Sequence, residues 1–572
     1  SDEDAGIYDL VLGNAPWGRN TTTQASKNWV ALYGWDTTIT YGNIGPIFLP
    51  KALTLVRAGG LVSMMQPAGA IIFNQVKTAQ AFRKKLFQGS KVEEILNLSA
   101  LRFGLFKDAV SPSCTITIRN TSPDSEPLCY ICPKTNQNNE DNYRITIEPH
   151  DVNEIYPEEA IEDPFIWSTL MWGGRRDFYL VKYLSRASTL EDFRQAGILL
   201  KREGIKRGDR EKVQNALLGK RILNKPRFPE GTFLFLDAST LPINNNPKTH
   251  SKASTDLSAF AFPQLILKQS WRKAHKRFQA AIVSSSESEA ILCSESYVTV
   301  HVSEENSRLL YYACLSYVSK IAVYYLMLSS GRFASYRPEP NLEDLLRIPV
   351  PENCKETTQT LKTFDDVDRQ VYDAFSLNES DEILIEDLFN YTLPDFQGDR
   401  FSPGRQKTHR TVVNLLEIQE EPELKEYCEY FMRVLTAGFG QDKEICSTLY
   451  QETNDEFLPV RLIAIHLGKS IHERIKIEPI TSHSLLKHLN QLNDLFMQED
   501  DSVAGGIFYQ RVARMYQSLE WNGEQIPTVY IVKPDKIRYW TRSMALRDAD
   551  EVAADIMRGQ PNIEVASEAV SQ

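Results

Sequence analysis

The strongest constraint on the fold is an alternation of short apolar runs and helical segments within the first 120 residues. Ile7-Tyr8-Asp9-Leu10-Val11-Leu12 is apolar and stops at Gly13, the pattern of a strand buried on both faces. Ile47 to Val56 has helical spacing and stops at Ala58-Gly59-Gly60, a helix-ending signal. Leu61 to Met65 reads as a second strand, Gln75 to Phe87 as an amphipathic helix, Val92 to Leu98 as a third strand and Cys114 to Ile118 as a fourth. This order predicts α/β architecture with a parallel sheet and right-handed crossovers. The first strand reads as central. A doubly wound sheet needs more strands and covering helices than residues 1–120 supply, so the expectation is a chain that lacks an upstream half or is one partner of a split enzyme.

At 572 residues, 42% hydrophobic and 24% charged, the chain is an ordinary globular protein, which excludes disordered and fibrous classes. No apolar run reaches the ~20 residues of a membrane span. The acidic start, Ser1-Asp2-Glu3-Asp4, is not a signal peptide. Eight cysteines are too few for a disulfide scaffold, and a reducing, cytoplasmic setting is expected. The net charge of −11 hides an uneven distribution. Residues 1–350 carry 41 Lys+Arg against 36 Asp+Glu, and residues 351–572 carry 23 against 39. A basic first part can meet phosphate while the acidic remainder points away.

The stretch that carries chemistry is Asp9-Leu10-Val11-Leu12-Gly13-Asn14-Ala15-Pro16-Trp17. It sets an amide, a rigid turn and a large aromatic at the carboxyl end of a strand, where open α/β sheets bind ligands. The Asn14 amide oxygen can accept from an exocyclic amino group. Pro16 holds Ala15 extended, so the Ala15 carbonyl can accept the second amino hydrogen. Trp17 offers a face for a planar base. Two acceptors on one amine aim its lone pair at an electrophile, which suits methyl transfer to a base flipped out of a duplex. Taken alone, Asn-x-Pro-Trp is equally a strand-to-loop turn with a core tryptophan.

Here the sequence resembles the amino-methylating DNA methyltransferases of restriction–modification type, the type IIG, Eco57I-like adenine methylases. Phe48-Leu49-Pro50-Lys51-Ala52-Leu53, Val56 to Leu61 and Gln66-Pro67-Ala68 are similar to the family's next helix, turn, strand and loop. Phe106-Lys107-Asp108-Ala109 is similar to the motif whose aromatic packs the flipped base; core packing is an equal reading for Phe106 alone. The resemblance covers residues 7–119. It implies the C-terminal half of a Rossmann-like class I methyltransferase sheet, S-adenosylmethionine as cofactor, and double-stranded DNA as partner. In that reading Asn14, Ala15, Pro16 and Trp17 are catalytic, Phe106 stacks on the target base, and no metal takes part. Cytosine-N4 methylation fits the same motif. Ala15 stands where the family has its first proline, and no G-x-G-x-x-G loop for the methyl donor occurs in the chain.

Residues 201–228 hold 10 Lys+Arg against 3 Asp+Glu. A second basic cluster runs from Lys268 to Arg277 around Trp271. Each is either a solvated basic face or a phosphate-binding one. Lys201, Arg202, Lys206, Arg207, Lys268, Arg272, Lys273, Lys276 and Arg277 are the DNA-binding candidates, with Gln269, Arg272 and Lys273 the candidate base readers. Residues 161–351 are similar, more loosely, to the family's target-recognition region. They include a long apolar helix from Ser307 to Leu328, then Gly331-Arg332 and Arg337-Pro338.

The expected layout is 1–125 catalytic part, 126–160 linker or insertion, and 161–351 target-recognition α+β domain. An acidic helical segment follows at 352–412, then a C-terminal α+β domain at 413–560 and a tail at 561–572. The last domain reads as helix 423–436, strand 460–466, helices 483–497 and 505–517, strand 528–532 and helix 544–557, with Thr541 or Ser543 as cap. The basic, aromatic segment 530–543 is either a contact surface or a capped strand-to-helix junction. Cys129-x-x-Cys132 has metal-ligand spacing but no second pair. No PD-(D/E)xK nuclease core is present. A phage-defence role with an N-terminal methyltransferase fragment, nuclease or helicase as partner, and no membrane, completes the expectation. The competing reading is a DNA-recognition module that lacks catalysis.

Overall fold

The computed structural model describes residues 6–18, 21–40, 42–101, 111–139, 142–208, 210–270, 276–284, 291–334, 340–352, 361–399, 401–408, 420–439, 444–452, 458–487, 489–490 and 513–558. The chain divides into two compact units, Ser1–Thr146 with Asn153–Ile385, and Ile147–Val152 with Glu386–Gln572.

The first unit opens with a six-stranded sheet. Its strands are β1 (Tyr8–Asn14), β2 (Val56–Pro67), β3 (Lys91–Asn97), β4 (Ser113–Arg119), β5 (Leu128–Ile131) and a last strand, Val152–Ile155. In space they run β1-β2-β4-β3-β5, with Val152–Ile155 at the far edge. β1 is parallel to β2 and β3 to β5, whereas β4 is antiparallel to both β2 and β3. The sheet is therefore mixed, not parallel. The sequence marks no crossover helix between the third and fourth strands, which leaves the fourth free to run back between its neighbours. Residues 126–160 are not a linker, because Leu128–Ile131 and Val152–Ile155 are strands of this sheet.

Ala58-Gly59-Gly60 lies within β2 and ends no helix; the preceding helix, α2, stops earlier, at Phe48–Leu53. Gly59 has φ +78°, and a side chain at Gly60 would sit 3.0 Å from the carbonyls of both Arg57 and Asp9. The two glycines form the irregularity at which the β1–β2 register shifts between Tyr8 and Leu10. Beyond it, Leu10 to Asn14 pair residue for residue with Leu61 to Met65.

One face of the sheet is fully covered. Val62, Met64, Ile95, Ile116 and Ile118 share a core with Leu49 and Ala52 of α2 and with Phe82, Leu86 and Phe87 of α3 (Lys77–Gly89). Each such large side chain contributes roughly 1.5–3 kcal/mol by burial. On the other face Ser63, Met65, Thr115 and Thr117 remain partly exposed. β1 is an edge strand with Leu10 50% and Leu12 69% exposed, so the apolar run that reads as a buried strand faces solvent here.

The rest of this unit holds a five-stranded sheet in the order Phe235–Asp237, Ala280–Ser284, Gln264–Lys268, Tyr297–Val302 and Leu199–Glu203. The expected long helix is two, Ser307–Val318 and Lys320–Ser329, bent by 71° at Ser319. Both are core helices, with Ile321 to Met327 almost wholly buried. Among the described residues no single helix is long and apolar enough to cross a membrane.

The second unit has a sheet in the order Ile475–Ile480, Glu444–Glu452, Val460–Gly468, Glu524–Pro534 and Ala513–Trp521. Its core includes residues of the helices Pro422–Phe439 and Arg542–Met557. The part of the expected helix 505–517 that is described is strand, Ala513–Trp521, paired antiparallel with Glu524–Pro534. Segment 530–543 is a buried junction. Lys533 is inside, bonded to Asp548, with Tyr539 and Trp540 packed beside it, and Thr541 caps the last helix. His466 is also buried, its two ring nitrogens 2.9 Å from the hydroxyls of Thr448 and Thr528. Burial, and then the nearby His472, hold its pKa down at about 4.

A histidine held neutral in this way loses stabilisation as pH falls from its unfolded value of about 6.5 toward 4, because the unfolded chain binds the proton more tightly. Denaturant unfolding of the second unit should show up to about 3 kcal/mol of lost stability over that window, at ~1.4 kcal/mol per pKa unit. His466→Asn should flatten the dependence.

Candidate active site

The site is built at the carboxyl ends of β1 and β2. β1 closes on Asn14, which pairs with Met65. Asn14 is exposed, Ala15 is buried at 5%, Pro16 is exposed and Trp17 is half-buried. Residues 42–46 lie behind the turn and are tied to the chain that follows it. Thr21 donates its amide to the Gly42 carbonyl at 2.9 Å and accepts from the Ile44 amide at 3.1 Å through its hydroxyl. Gly45 donates to the Asn43 side chain at 3.0 Å. A side chain at Gly45 would lie 3.1 Å from the Pro16 carbonyl oxygen, a tight contact that glycine avoids.

Helix α1 (Gln24–Leu32) follows, begun by a capping box between Thr23 and Ser26. It carries Trp29, which stacks on Tyr33 with centroids 4.6 Å apart. Trp35 packs on Phe82, and Lys85 lies 4.5 Å over the Trp35 ring while donating to the carbonyls of Tyr33 and Gly34. These contacts fasten the aromatic segment to α3. Below it, buried Arg83 donates to the carbonyls of Ile71 at 3.2 Å and Asn74 at 2.9 Å, and burial pulls its pKa down to about 10. Arg83 thereby fixes the loop that leads out of β2.

This geometry presents an exposed amide beside a turn with residues 42–46 close behind it. It can accept hydrogen bonds from an amino group and place a flat ring near Trp17. Phe106 and the Lys107-Asp108-Ala109 that follow it lie outside the described residues, as do Trp271, Arg272 and Lys273. The sequence offers Gln66 only as part of a motif, yet it is fully buried at the end of β2, and both side-chain amide atoms lack hydrogen-bond partners among the described residues.

The basic candidates separate into two groups. Lys206 and Arg207 are exposed, and Lys201 and Lys276 are half-exposed. Arg207 reaches Asn244 at 3.2 Å, and Arg202 holds the 254–260 loop by donating to the carbonyls of Ser254 and Asp256. Lys268 and Arg277 are corrections, since both are buried and turned inward. Lys268 donates to Gln279 at 3.1 Å, while Arg277 makes a two-pronged pair with Asp368 at 2.8 and 2.5 Å. A guanidinium committed to a buried carboxylate does not serve phosphate. Gln269 likewise donates to main-chain carbonyls, those of Glu295 and Tyr297. Cys129 and Cys132 are free thiols, the latter accepting from Asn97 at 3.8 Å.

The sequence model of the Eco57I restriction-modification methylase matches residues 2–103, which include Asn14 to Trp17 and all of β1, β2 and β3. In that segment the chain is similar to the Eco57I restriction-modification methylases. Among solved structures, the type IIG restriction endonuclease BpuSI is 15% identical, with a TM-score of 0.29 over 68% of this chain and 49% of its own. The type IIL restriction-modification enzyme MmeI, in complex with DNA, is 10% identical, with a TM-score of 0.35 over 68% of this chain and 57% of its own. The chain thus spans about half the length of these neighbours. No curated protein matches.

Replacing Arg277 with Met removes one side of a buried pair. It should cost about 3 kcal/mol in denaturant unfolding and leave the salt dependence of DNA binding unchanged. A change in salt slope would return Arg277 to the phosphate-binding group.

Proposed function

We propose that this chain is the acceptor-side portion of a DNA methyltransferase of restriction–modification type that methylates adenine at N6. The observation that carries the reading is the exposed Asn14 amide at the end of β1, beside the Ala15–Pro16 turn, within the segment matched by the methylase family. In this reading the Asn14 oxygen and the Ala15 carbonyl accept the two amino hydrogens of a flipped base, which directs the nitrogen lone pair outward. Trp17 and Phe106 hold the ring by stacking.

S-adenosylmethionine supplies the methyl group. The described residues do not form its cradle. β1 closes on Asn14, β2 on Pro67 and β3 on Asn97, and the sequence contains no G-x-G-x-x-G. We place the donor-binding part on the free edge of β1, which pairs on one side only among the described strands and whose Leu10 and Leu12 are exposed. An N-terminal methyltransferase fragment is the partner that fits there. A defence-system nuclease or helicase is a further partner. Seven free cysteines among the described residues support a reducing, cytoplasmic compartment.

Double-stranded DNA binding is assigned to the segment around Lys201, Lys206 and Arg207, with Lys276 as an additional phosphate ligand. Phosphate contacts there supply affinity and register, and reading of sequence falls to groups at base edges. One observation favours the alternative of a recognition module without catalysis, namely Ala15 at the position of the family's first proline.

The test is transfer of labelled methyl groups from S-adenosylmethionine to unmethylated DNA, with the chain alone and with a donor-binding segment added. Asn14→Ala should lower transfer at least a hundredfold, about 2.7 kcal/mol, with DNA affinity within twofold of wild type. Transfer that survives Asn14→Ala removes Asn14 from the site. Absence of any transfer with DNA binding intact leaves the recognition module. Lys206→Ala with Arg207→Ala should lower the log–log salt slope of binding by about 0.9 for each phosphate that is no longer neutralised.

A further inference from the structure

We propose that Gln66 is a positioning residue for the Asn14–Trp17 turn. It rests on the methyltransferase reading, and it names a side chain that neither the motif nor the family match assigns. Gln66 is the next residue after Met65, the partner of Asn14, and it pairs on its other side with Cys114 of β4. It lies on the covered face of the sheet, in the row of Val62 and Met64, and is 0% exposed. Among the described residues neither its Nε2 nor its Oε1 has a hydrogen-bond partner. An amide buried with both donor and acceptor unmet opposes folding, and an apolar residue of the same length would serve the core better.

The surroundings indicate what the amide is for. A side chain built at Gly45 would lie 3.1 Å from the Pro16 carbonyl oxygen, 3.2 Å from the Asn43 Oδ1 and 3.6 Å from the Gln66 Oε1. Three oxygens therefore converge on one point behind the turn. Asn43 Oδ1 is engaged by the Gly45 amide. The Pro16 carbonyl and the Gln66 amide are the pair left to meet. A half-turn about the last side-chain bond of Gln66 exchanges Oε1 for Nε2 and would bring a donor among these oxygens. Such a bond would lock the peptide that follows Pro16 and hold the Ala15 carbonyl at one angle to an incoming amine. It would stiffen the turn where it meets the incoming amine.

Two readouts test this. Gln66→Met keeps the length and the apolar stem while removing the amide. The expected result is a Tm equal to or above wild type, a KM for unmethylated bacteriophage DNA within twofold, and a kcat at least tenfold lower. A kcat unchanged in Gln66→Met overturns the assignment, as does a Tm that falls together with kcat, because the amide would then be a structural partner. The second readout needs no turnover and no variant. The Gln66 side-chain amide protons, assigned by selective labelling, are followed by NMR in the wild-type chain as unmethylated DNA is added. A downfield shift supports the new hydrogen bond, and an unmoved signal overturns it. Wild type that transfers no methyl group under any condition contradicts the methyltransferase reading, and the amide signal then decides the role of Gln66 alone.

Discussion

Parallel pairing of Tyr8–Asn14 with Val56–Pro67 is the constraint on which the site depends. The pairing settles where the chain leaves the sheet. Because Leu10 to Asn14 run in register with Leu61 to Met65, the two strands end side by side, and the loops that follow them must share the same space. The Gly59–Gly60 irregularity takes up the mismatch at the other end, so the carboxyl ends stay aligned. From there the geometry follows locally. Residues 42–46 lie close behind the turn, and Arg83 holds the loop leaving β2.

The same arrangement accounts for the free edge. Among the described strands β1 has a single neighbour, and its apolar side chains stand in solvent on one side of it. An edge of this kind is a template for strand addition. The partly exposed face formed by Ser63, Met65, Thr115 and Thr117 lies beside it. In the proposed reading, the acceptor end of the reaction is organised by residues of this chain.

Much of the local structure was legible in the sequence because strand and helix periods are local. The run Cys114 to Ile118 lies within the strand Ser113–Arg119 and 460–466 within Val460–Gly468, and Asn14 to Trp17 stand where a strand should end. What could not be read depends on neighbours. The alternation of Cys114 to Ile118 marks a strand and says nothing of its direction, so the antiparallel insertion of β4 was invisible. Val512, Met515, Tyr516 and Leu519 satisfy helical spacing, yet pairing with Glu524–Pro534 makes Ala513–Trp521 a strand. Lys268 and Arg277 carry charge in a basic cluster, and only the fold reveals Gln279 and Asp368 as their partners. Gln66 offers no local signal, since an unmet buried amide exists only once its surroundings do.

The central claim is that the turn after β1 receives an exocyclic amino group. The most direct measurement is the chemical identity of the methylated base. DNA methylated by the chain together with its donor-binding part is hydrolysed to nucleosides and resolved by mass spectrometry. The account predicts the label on an amino nitrogen, in N6-methyladenine. Label on a ring carbon, as 5-methylcytosine, would contradict it, because two acceptors at Asn14 and Ala15 have no role in attack by carbon.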